Sequence, residues 1–227
     1  LKNSIVHEDQ DVIAIDKPAG LSSHSGTEVP YGVIEGLRAL FEQPELELAH
    51  RLDRETSGIL LIARRRVVVE ALHHAMRERT AYKRYRVLLH QNWHFNQATT
   101  EVFLPLSRDH LVSGERMVRV DHEHGKTAHT RFIFEENLGS TACAVKAEIM
   151  TGRTHQIRVH AQSLQQAVLG DTKYGHRAAN QRLRQFGQTR MFLHSECLEI
   201  AANGKNYHFE APLSAEWRAS VDFLRRT

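Results

Sequence analysis

The segment His50-Arg51-Leu52-Asp53-Arg54 places one carboxylate between two guanidinium groups, shortly before the apolar run 58–63. A carboxylate on a loop that leads into a buried strand is rigidly supported and partly desolvated, and neighbouring Arg residues keep it ionised. Asp can act as a nucleophile, as a general base or as a structural cap, and residue types do not choose between these roles. We therefore treat Asp53 as a candidate for chemistry, with a salt bridge within the loop as the alternative.

Aromatic and basic residues alternate in a second segment, Tyr82-Lys83-Arg84-Tyr85-Arg86. On a strand, Lys83 and Tyr85 point to one face, because side chains alternate with a period of two. A Tyr ring beside cations can stack on a nucleobase, which contributes ~1–3 kcal/mol per base. The structural alternative is an edge strand that is protected from aggregation by its charges.

A third segment, Thr151 to His160, combines Gly, Arg and His at the predicted start of a helix, with Thr154 as its N-cap. Amide groups and the helix dipole favour an anion at such a position. Arg158 lies just beyond that end and can pair with a carboxylate from another loop. A helix with a solvated polar face is the alternative.

Composition sets the outer limits of the fold. The 227 residues, 41% of them hydrophobic, can bury one sizeable core or two small ones, and we expect one domain over residues 1–227. No run approaches the ~20 apolar residues of a membrane span and no secretion leader is visible, so we expect a cytoplasmic protein. The chain begins at Leu1 and not at Met, which predicts a fragment of a longer protein.

The basic residues are unevenly divided, with 23 Arg against seven Lys at a net charge of +3. Arg is suited to bidentate phosphate contacts and to stacking on bases, so this bias hints at nucleic acid. The alternative is a bias in genomic composition.

The 16 His residues do not fall into metal-binding patterns. His73 and His74 are adjacent, His155 and His160 are five apart, and no His-Glu-x-x-His or Cys-x-x-Cys motif occurs. We therefore expect no metal. Cys143 and Cys197 lie far apart in alternating apolar stretches and are interpreted as reduced core residues.

Hydrophobic periodicity predicts an α+β fold with a mainly antiparallel sheet. The predicted helices cover residues 33–41, a segment from 64 to about 76, and 154–162. The predicted strands cover residues 11–15, 58–63, 82–89, 117–120, 127–134, 141–149, 191–200 and 207–211. Asn203-Gly204 indicates a hairpin turn between the last two strands.

The order of these motifs resembles that of the RluA-type pseudouridine synthases over nearly the whole chain. The motifs that carry the resemblance are, in chain order, Lys17-Pro18-Ala19-Gly20, His50 to Gly58, Lys83-Arg84-Tyr85, Gly152 to His160, and Gly170-Asp171-Thr172-Lys173-Tyr174-Gly175. Residues 31–38 and 113–120 are most similar to the RluC branch, which modifies several uridines of bacterial large-subunit rRNA. Residues 164–168 depart from the family, which usually has a Gly-His-Pro turn there.

The resemblance implies the pseudouridine synthase fold and a cofactor-free isomerisation of uridine in RNA. It implies that Asp53 is the catalytic aspartate, that Tyr85 stacks on the base, and that Arg158 pairs with the aspartate. Arg51 would fill the space left by the extruded base. Further substrate-binding residues are expected among the same motifs, namely His50, Thr56, Arg153, His155 and Gln156.

Several alternatives stay open at this point. A tRNA-modifying enzyme of the same family would use the same catalytic motifs, and a non-catalytic RNA-binding module would explain the Arg bias and Tyr85 without requiring Asp53 and Arg158 together. A metal-dependent nuclease would need a ligand cluster that the sequence does not offer. The branch that the chain resembles has a small RNA-binding domain before the catalytic one, and we expect that this domain is missing here. We expect a monomer with RNA as its partner and no membrane contact.

Overall fold

The computed structural model describes residues 1–26, 31–112, 115–185 and 187–227. A short 3₁₀ helix, Lys2–Ser4, precedes the first strand. The strands are β1 (Ile5–Glu8), β2 (Val12–Lys17), β3 (Glu47–Leu48), β4 (Ser57–Ala63), β5 (Tyr82–His90), β6 (Thr99–Val102), β7 (Leu106–Val112), β8 (Glu115–Val120), β9 (Thr130–Leu138), β10 (Ala142–Ile149), β11 (Leu193–Ala202) and β12 (Lys205–Glu210). The helices are α1 (Val33–Phe41), α2 (Arg66–Arg77), α3 (Gln156–Ser163), α4 (Arg177–Gln185) and α5 (Ala215–Leu224). These elements confirm the α+β class.

The chain divides into two compact units. The first comprises residues 1–84 and 194–212, and the second comprises residues 85–193 and 213–227. Each unit therefore combines segments that are distant in sequence. The expectation of one domain over the whole chain stays a prediction.

The first unit contains the sheet order β1-β2-β4-β11, with β3 also paired to β4 and β12 paired to β11. Every described pairing is antiparallel except that of β4 with β11, which is parallel through Ser57 and Gly58. Gly58 has φ +104°, and a Cβ at this position would lie 2.2 Å from the carbonyl oxygen of Ser195. The close approach of β4 to β11 thus requires Gly at this position.

The core of the first unit lies between this sheet and α2. The apolar stripe of α2, with Val68, Leu72 and Ala75, packs against alternate residues of β2 and β4 such as Val12 and Ile59. Each large apolar side chain buried in this way stabilises the fold by about 1.5–3 kcal/mol. The predicted stripe of this helix is thereby confirmed.

The second unit contains the strand order β5-β10-β9-β6, in which β10–β9 and β9–β6 are antiparallel, and a separate two-stranded antiparallel sheet of β7 and β8. Helix α5 packs on this sheet through Trp217 and Leu224, which join Leu88, Ala144 and Phe192 in one apolar cluster. Through Leu88, this cluster anchors the C-terminal half of β5. Helix α3, which carries the third motif, begins seven residues after β10.

The sequence predicted the longest periodic elements best. Helix α1 has the predicted bounds, and the turn at Asn203-Gly204 has φ values of +51° and +73°, as a hairpin with two left-handed residues requires. One cap was wrong: α3 has His155 as its N-cap, with φ +52° and no side-chain capping bond, in place of Thr154. Ser113 and Gly114, in the segment 113–120 that resembles the RluC branch, and residues 27–30 lie outside the described residues.

Helix length bears on the expectation about membranes. Among the described residues, none of the helices is both long enough and apolar enough to cross a lipid bilayer.

Candidate active site

Asp53 lies in the turn between β3 and β4 of the first unit and is half-buried. The amide of Thr56 donates to the Asp53 carbonyl at 3.1 Å and closes the turn. Leu52 and Thr56, on either side, are 8% and 2% exposed and anchor the turn in the core. The carboxylate therefore projects from a backbone that is fixed on both sides.

Arg54, directly after Asp53, contacts Glu55 and the 18–22 loop. Within the described part of the chain, its guanidinium lies 3.6 Å from Glu55 and donates from Nε to the Gly20 carbonyl at 3.0 Å. The Gly20 amide donates back to the Arg54 carbonyl at 2.9 Å. These reciprocal bonds join the 18–22 loop to the backbone directly after Asp53.

The buried ammonium group of Lys17 also supports the turn around Asp53. Lys17, at the end of β2, is fully buried, and its Nζ donates to the carbonyl oxygens of Pro18, Leu21 and Arg54 at 2.9, 2.8 and 3.1 Å. A buried charge is costly unless its hydrogen bonds are satisfied, and three carbonyl acceptors match the three donors of the ammonium. Lys17 thereby ties the turn around Asp53 to β2.

Ser23 holds the other side of the turn. Its hydroxyl donates to the Leu52 carbonyl at 2.9 Å and accepts from the Leu52 amide at 3.1 Å. Ser23 is 2% exposed, so both bonds are shielded from water. The residue before Asp53 is therefore bonded through both its amide and its carbonyl.

His50 of the first motif is an internal acceptor. The amide of Leu61 donates to its Nε2 at 3.2 Å. Burial of the ring, together with the nearby Lys83 ammonium, lowers the pKa of His50 to about 3. The ring is therefore neutral at physiological pH and holds β4 against the residues that precede Asp53.

Ser57 and His194 secure the start of β4. His194 Nε2 lies 3.1 Å from the Ala211 carbonyl and so carries the ring proton, which leaves Nδ1 to accept from the Ser57 hydroxyl at 2.8 Å. Both side chains are buried, at 5% and 3% exposure. A Ser-His pair can serve as a nucleophile and base. Here the His194 ring bonds the Ala211 carbonyl through one nitrogen and Ser57 through the other, so the pair has a structural role.

The second unit carries Tyr85, which lies on β5 and is 7% exposed. Two cations beside it on the strand are engaged in ion pairs: Arg84 donates from Nε to Glu196 at 2.7 Å, and Arg86 pairs with Glu135. Tyr85 is thus a largely buried aromatic group on a strand whose neighbouring charges are compensated.

Arg158, on α3 of the second unit, forms a bidentate ion pair with Asp171. Its Nε and Nη2 donate to the two carboxylate oxygens at 2.7 and 2.8 Å, and the two side chains are 6% and 0% exposed. The amides of Lys173 and Tyr174 also donate to Asp171. Burial acts to raise the pKa of Asp171, but the Arg158 guanidinium and these amides outweigh burial, so the pKa is lowered.

Tyr174 completes the surroundings of Arg158. The Arg158 Cζ lies 5.0 Å from the centre of the Tyr174 ring, within the range of a cation–π contact. The Tyr174 hydroxyl accepts from the Val118 amide at 2.9 Å and lies 2.8 Å from Nδ1 of His155. The orientation of the guanidinium is therefore determined by a planar carboxylate on one side and a fixed ring on the other.

Gln156 organises the loop that leads into α3. Its Oε1 accepts from the Thr151 hydroxyl and the Arg153 amide, and its Nε2 donates to the His129 carbonyl and the Thr130 hydroxyl. These four bonds match the capacity of a side-chain amide. The contacts give Gln156 a structural part, while the predicted role in substrate binding stays a prediction.

The predicted site residues divide between the units. His50, Arg51, Asp53 and Thr56 belong to the first unit, and Arg51 is exposed there. Tyr85, Arg153, His155, Gln156 and Arg158 belong to the second, where the Arg153 Nε donates to the Thr127 carbonyl at 3.0 Å.

Sequence reasoning did not assign a role to Lys17 or Asp171, although both lie in motifs that carry the resemblance. Two signals in the sequence could have indicated these roles: a Lys at the end of a predicted buried strand, and an Asp directly after Gly170.

The family profile described as RNA pseudouridylate synthase matches residues 11–163. Three bacterial proteins named ribosomal large subunit pseudouridine synthase C are similar over almost the whole chain. The protein from Pasteurella multocida is 41% identical over 99% of this chain and 69% of its own length, and that from Haemophilus influenzae is 41% identical over 100% and 70%. The protein from Escherichia coli is 39% identical over 99% of this chain and 71% of its own length.

Two solved human structures have the same fold. Human RNA Pseudouridylate Synthase Domain Containing 1 superposes with a TM-score of 0.77 at 25% identity, over 99% of this chain and 95% of that one. Human RNA Pseudouridylate Synthase Domain Containing 4 superposes with a TM-score of 0.76 at 23% identity, over 99% of this chain and 94% of that one. At this identity the similarity is one of fold alone.

Replacing Lys17 with Met should destabilise the protein by about 2–5 kcal/mol, because the carbonyls of Pro18 and Leu21 lose a buried donor. Urea unfolding measures this loss, and amide exchange at Gly20 and Thr56 should accelerate. The exposed Lys2→Met is the control and should unfold as the wild type does. A Lys17→Met protein as stable as wild type would show that the ammonium does not hold the turn.

Replacing Asp171 with Asn should lower the free energy of unfolding by about 3–5 kcal/mol at neutral pH, because Arg158 loses its buried partner. The folded pKa of Asp171 lies below the ordinary 3.8, so the ionised group stabilises the protein above pH ~4 and this contribution is lost as the pH falls through the folded pKa. Urea unfolding from neutral to acid pH measures the gap between wild type and variant.

The control for this comparison is Asp222→Asn, which breaks an exposed pair with Arg225. It should cost about 0–1 kcal/mol at neutral pH. A gap for Asp171→Asn that stays constant into the acid range would contradict a lowered pKa.

Proposed function

Because this chain belongs to the RNA pseudouridylate synthase family, we propose that it isomerises uridines of large-subunit ribosomal RNA to pseudouridine and that Asp53 starts the reaction. Isomerisation of uridine in RNA is the activity of the family. The ribosomal substrate is supported by the names of the bacterial relatives, which this chain matches over 69–71% of their length. A tRNA substrate is the second candidate, since the same catalytic motifs serve it.

The assignment of Asp53 is carried by one observation, the rigid turn that presents its half-buried carboxylate. The reaction breaks the glycosidic bond, turns the uracil and forms a carbon-carbon bond from C5 to C1′. An ionised Asp53 can attack the base at C6 or the ribose at C1′, or can remove a ribose proton. Each route needs a carboxylate that is held in place while it stays accessible.

Arg158 is proposed to pair with Asp53 and to keep its carboxylate ionised. A guanidinium has five N–H donors, and the bidentate pair with Asp171 uses one from Nε and one from Nη2. The rigid hold of Asp171 and Tyr174 suits Arg158 to a second carboxylate, because the orientation of its other donors is set in advance.

Tyr85 is proposed to stack on the uracil and, once the C-glycoside has formed, to take the C5 proton. A uridine inside a helix cannot be reached, so it must flip out, which costs a few kcal/mol. Stacking on Tyr85 and occupation of the vacated space by the exposed Arg51 would offset that cost. His50, Thr56, Arg153, His155 and Gln156 stay proposed substrate-binding residues around these groups.

The reaction moves a base within one nucleotide and has no need of an electron carrier, so we propose that it proceeds without a cofactor. We also propose a monomer that acts on rRNA in the cytoplasm. A non-catalytic RNA-binding module, the alternative from another class, would not depend on Asp53 at all.

Replacing Asp53 with Asn should abolish pseudouridine formation and leave RNA affinity within about twofold, because the shape of the side chain is kept and its charge is lost. Pseudouridine mapping of rRNA and tRNA from cells that lack the protein, complemented with wild type or with Asp53→Asn, measures both substrate and activity. Sites lost in rRNA and restored by wild type alone are the expected result. If Asp53→Asn restored the pseudouridine sites, Asp53 would have no part in the mechanism. If the lost sites were confined to tRNA, tRNA and not rRNA would be the substrate.

Replacing Arg158 with Ala should reduce turnover far more than RNA binding, because the guanidinium acts on Asp53 and not on the bulk of the RNA. Single-turnover rates and filter binding on one rRNA fragment measure the two effects. Arg177→Ala, an exposed Arg on α4, is the matched control for loss of a positive charge. Equal losses of turnover and binding would contradict the proposed role.

A further inference from the structure

One face of the β11–β12 hairpin, in the first unit, carries three residues of types that can ligate metals, the buried Cys197 and the exposed Glu199 and His208. The register pairs Cys197 with Glu210 and Glu199 with His208, and residues two apart on a strand share a face. The opposite face carries Leu198, with Tyr207 and Phe209 from β12, in the core. We call Cys197, Glu199 and His208 the hairpin cluster, and we propose that it binds one Zn²⁺ ion.

The ligand atoms of the hairpin cluster are close enough to converge on one ion. The Cys197 Sγ, a carboxylate oxygen of Glu199 and a ring nitrogen of His208 all lie within 4.8 Å of one another. Adjacent ligands of a tetrahedral zinc are roughly 3.3–3.6 Å apart, given ordinary zinc–ligand bond lengths. The Glu199 Oε1 and His208 Nδ1 are already 3.2 Å apart. Binding thus needs side-chain movements of about 1 Å and no change in the backbone.

The charges around the hairpin cluster favour a cation. Glu210 lies opposite Cys197, with its Oε1 3.5 Å from Nε2 of His208. Among the described residues, Arg84 is the cation that acts on Cys197, and it is shared between Glu196 at 2.7 Å and Glu210 at 3.6 Å. Counted with Glu199, three carboxylates face one guanidinium, which leaves excess negative charge for a divalent ion to neutralise.

The ligand types of the hairpin cluster indicate which metal it would take. Zinc in proteins is bound by a Cys thiolate, a His ring nitrogen and a carboxylate oxygen, which are the three ligand types present here. A sulfur, a nitrogen and an oxygen together select zinc over magnesium or calcium, which take oxygen ligands.

A zinc ion in this position would be structural. It would join β11 to β12 on the face that carries Cys197, Glu199 and His208, while Tyr207 and Phe209 pack on the other face. Three protein ligands leave a fourth position for water or for Glu210. The site depends neither on Asp53 nor on the proposed reaction, and its test can fail while that proposal stands.

Cobalt substitution tests the site directly, because the chain has only two Cys residues. The intact reduced protein is titrated with Co²⁺, and a sulfur-to-cobalt charge-transfer band reports a thiolate ligand. The band should saturate at one equivalent, and Zn²⁺ should abolish it. Cys197→Ala should lose the band, while Cys143→Ala should keep it, since Cys143 is not a member of the hairpin cluster and its sulfur accepts a hydrogen bond from Gln166.

Two further variants keep the test decisive if Cys197→Ala folds poorly. Glu199→Gln and His208→Gln change exposed side chains, and each should weaken Co²⁺ and Zn²⁺ binding by ~10-fold or more, since even residues that only support ligands have effects of that size. Zn²⁺ should raise the Tm of the wild type and of Cys143→Ala, and of neither ligand variant. Binding without a thiolate band would mean adventitious uptake by surface His residues and would overturn the proposal, as would a band that survives Cys197→Ala.

Discussion

The geometry of the candidate site depends first on the buried ammonium of Lys17. Three backbone carbonyls converge on this one group, and they come from both segments that form the Asp53 turn. A single apolar side chain could fill the same volume, but it could not satisfy Pro18 and Leu21 or draw Arg54 toward β2. The charge thus works as a structural centre, and its desolvation is offset because every donor has an acceptor.

In the second unit, too, a buried charged group fixes a residue of the candidate site, but the signs of the charges are reversed. There the group to be fixed is a cation, Arg158, and the fixing group is the buried carboxylate of Asp171. A buried ion pair often adds little net stability over an apolar pair, but removal of one partner is costly, so its main effect here is to define an orientation. Two backbone amides on Asp171 and the Tyr174 ring make that orientation unique.

The sequence predicted much of the fold because hydrophobic periodicity reports burial directly. Helix α1 and strands β2, β4, β5 and β10 follow from it, and short or polar elements such as β1 and α4 do not. In α4 only Asn180 and Leu183 are buried, which leaves too weak a stripe to detect. The motif residues were identified from their types, but not their supports: Ser23 meets Leu52 across 29 residues, and Lys17 meets Arg54 across 37. Such contacts are set by tertiary structure, which local patterns do not record.

The supports are more deeply buried than the groups they position, and this difference has a physical reason. Lys17, Ser23 and Asp171 are at most 2% exposed, whereas Asp53 is half-buried. Fixing one residue of a mobile loop costs about 1–2 kcal/mol in backbone entropy, and a turn that is ordered during folding does not impose that cost again when substrate binds. A fully buried carboxylate would resist ionisation, and a fully exposed one would have few contacts to fix its position. Placing the rigid contacts beneath the turn lets Asp53 remain accessible to RNA while its backbone is already in position.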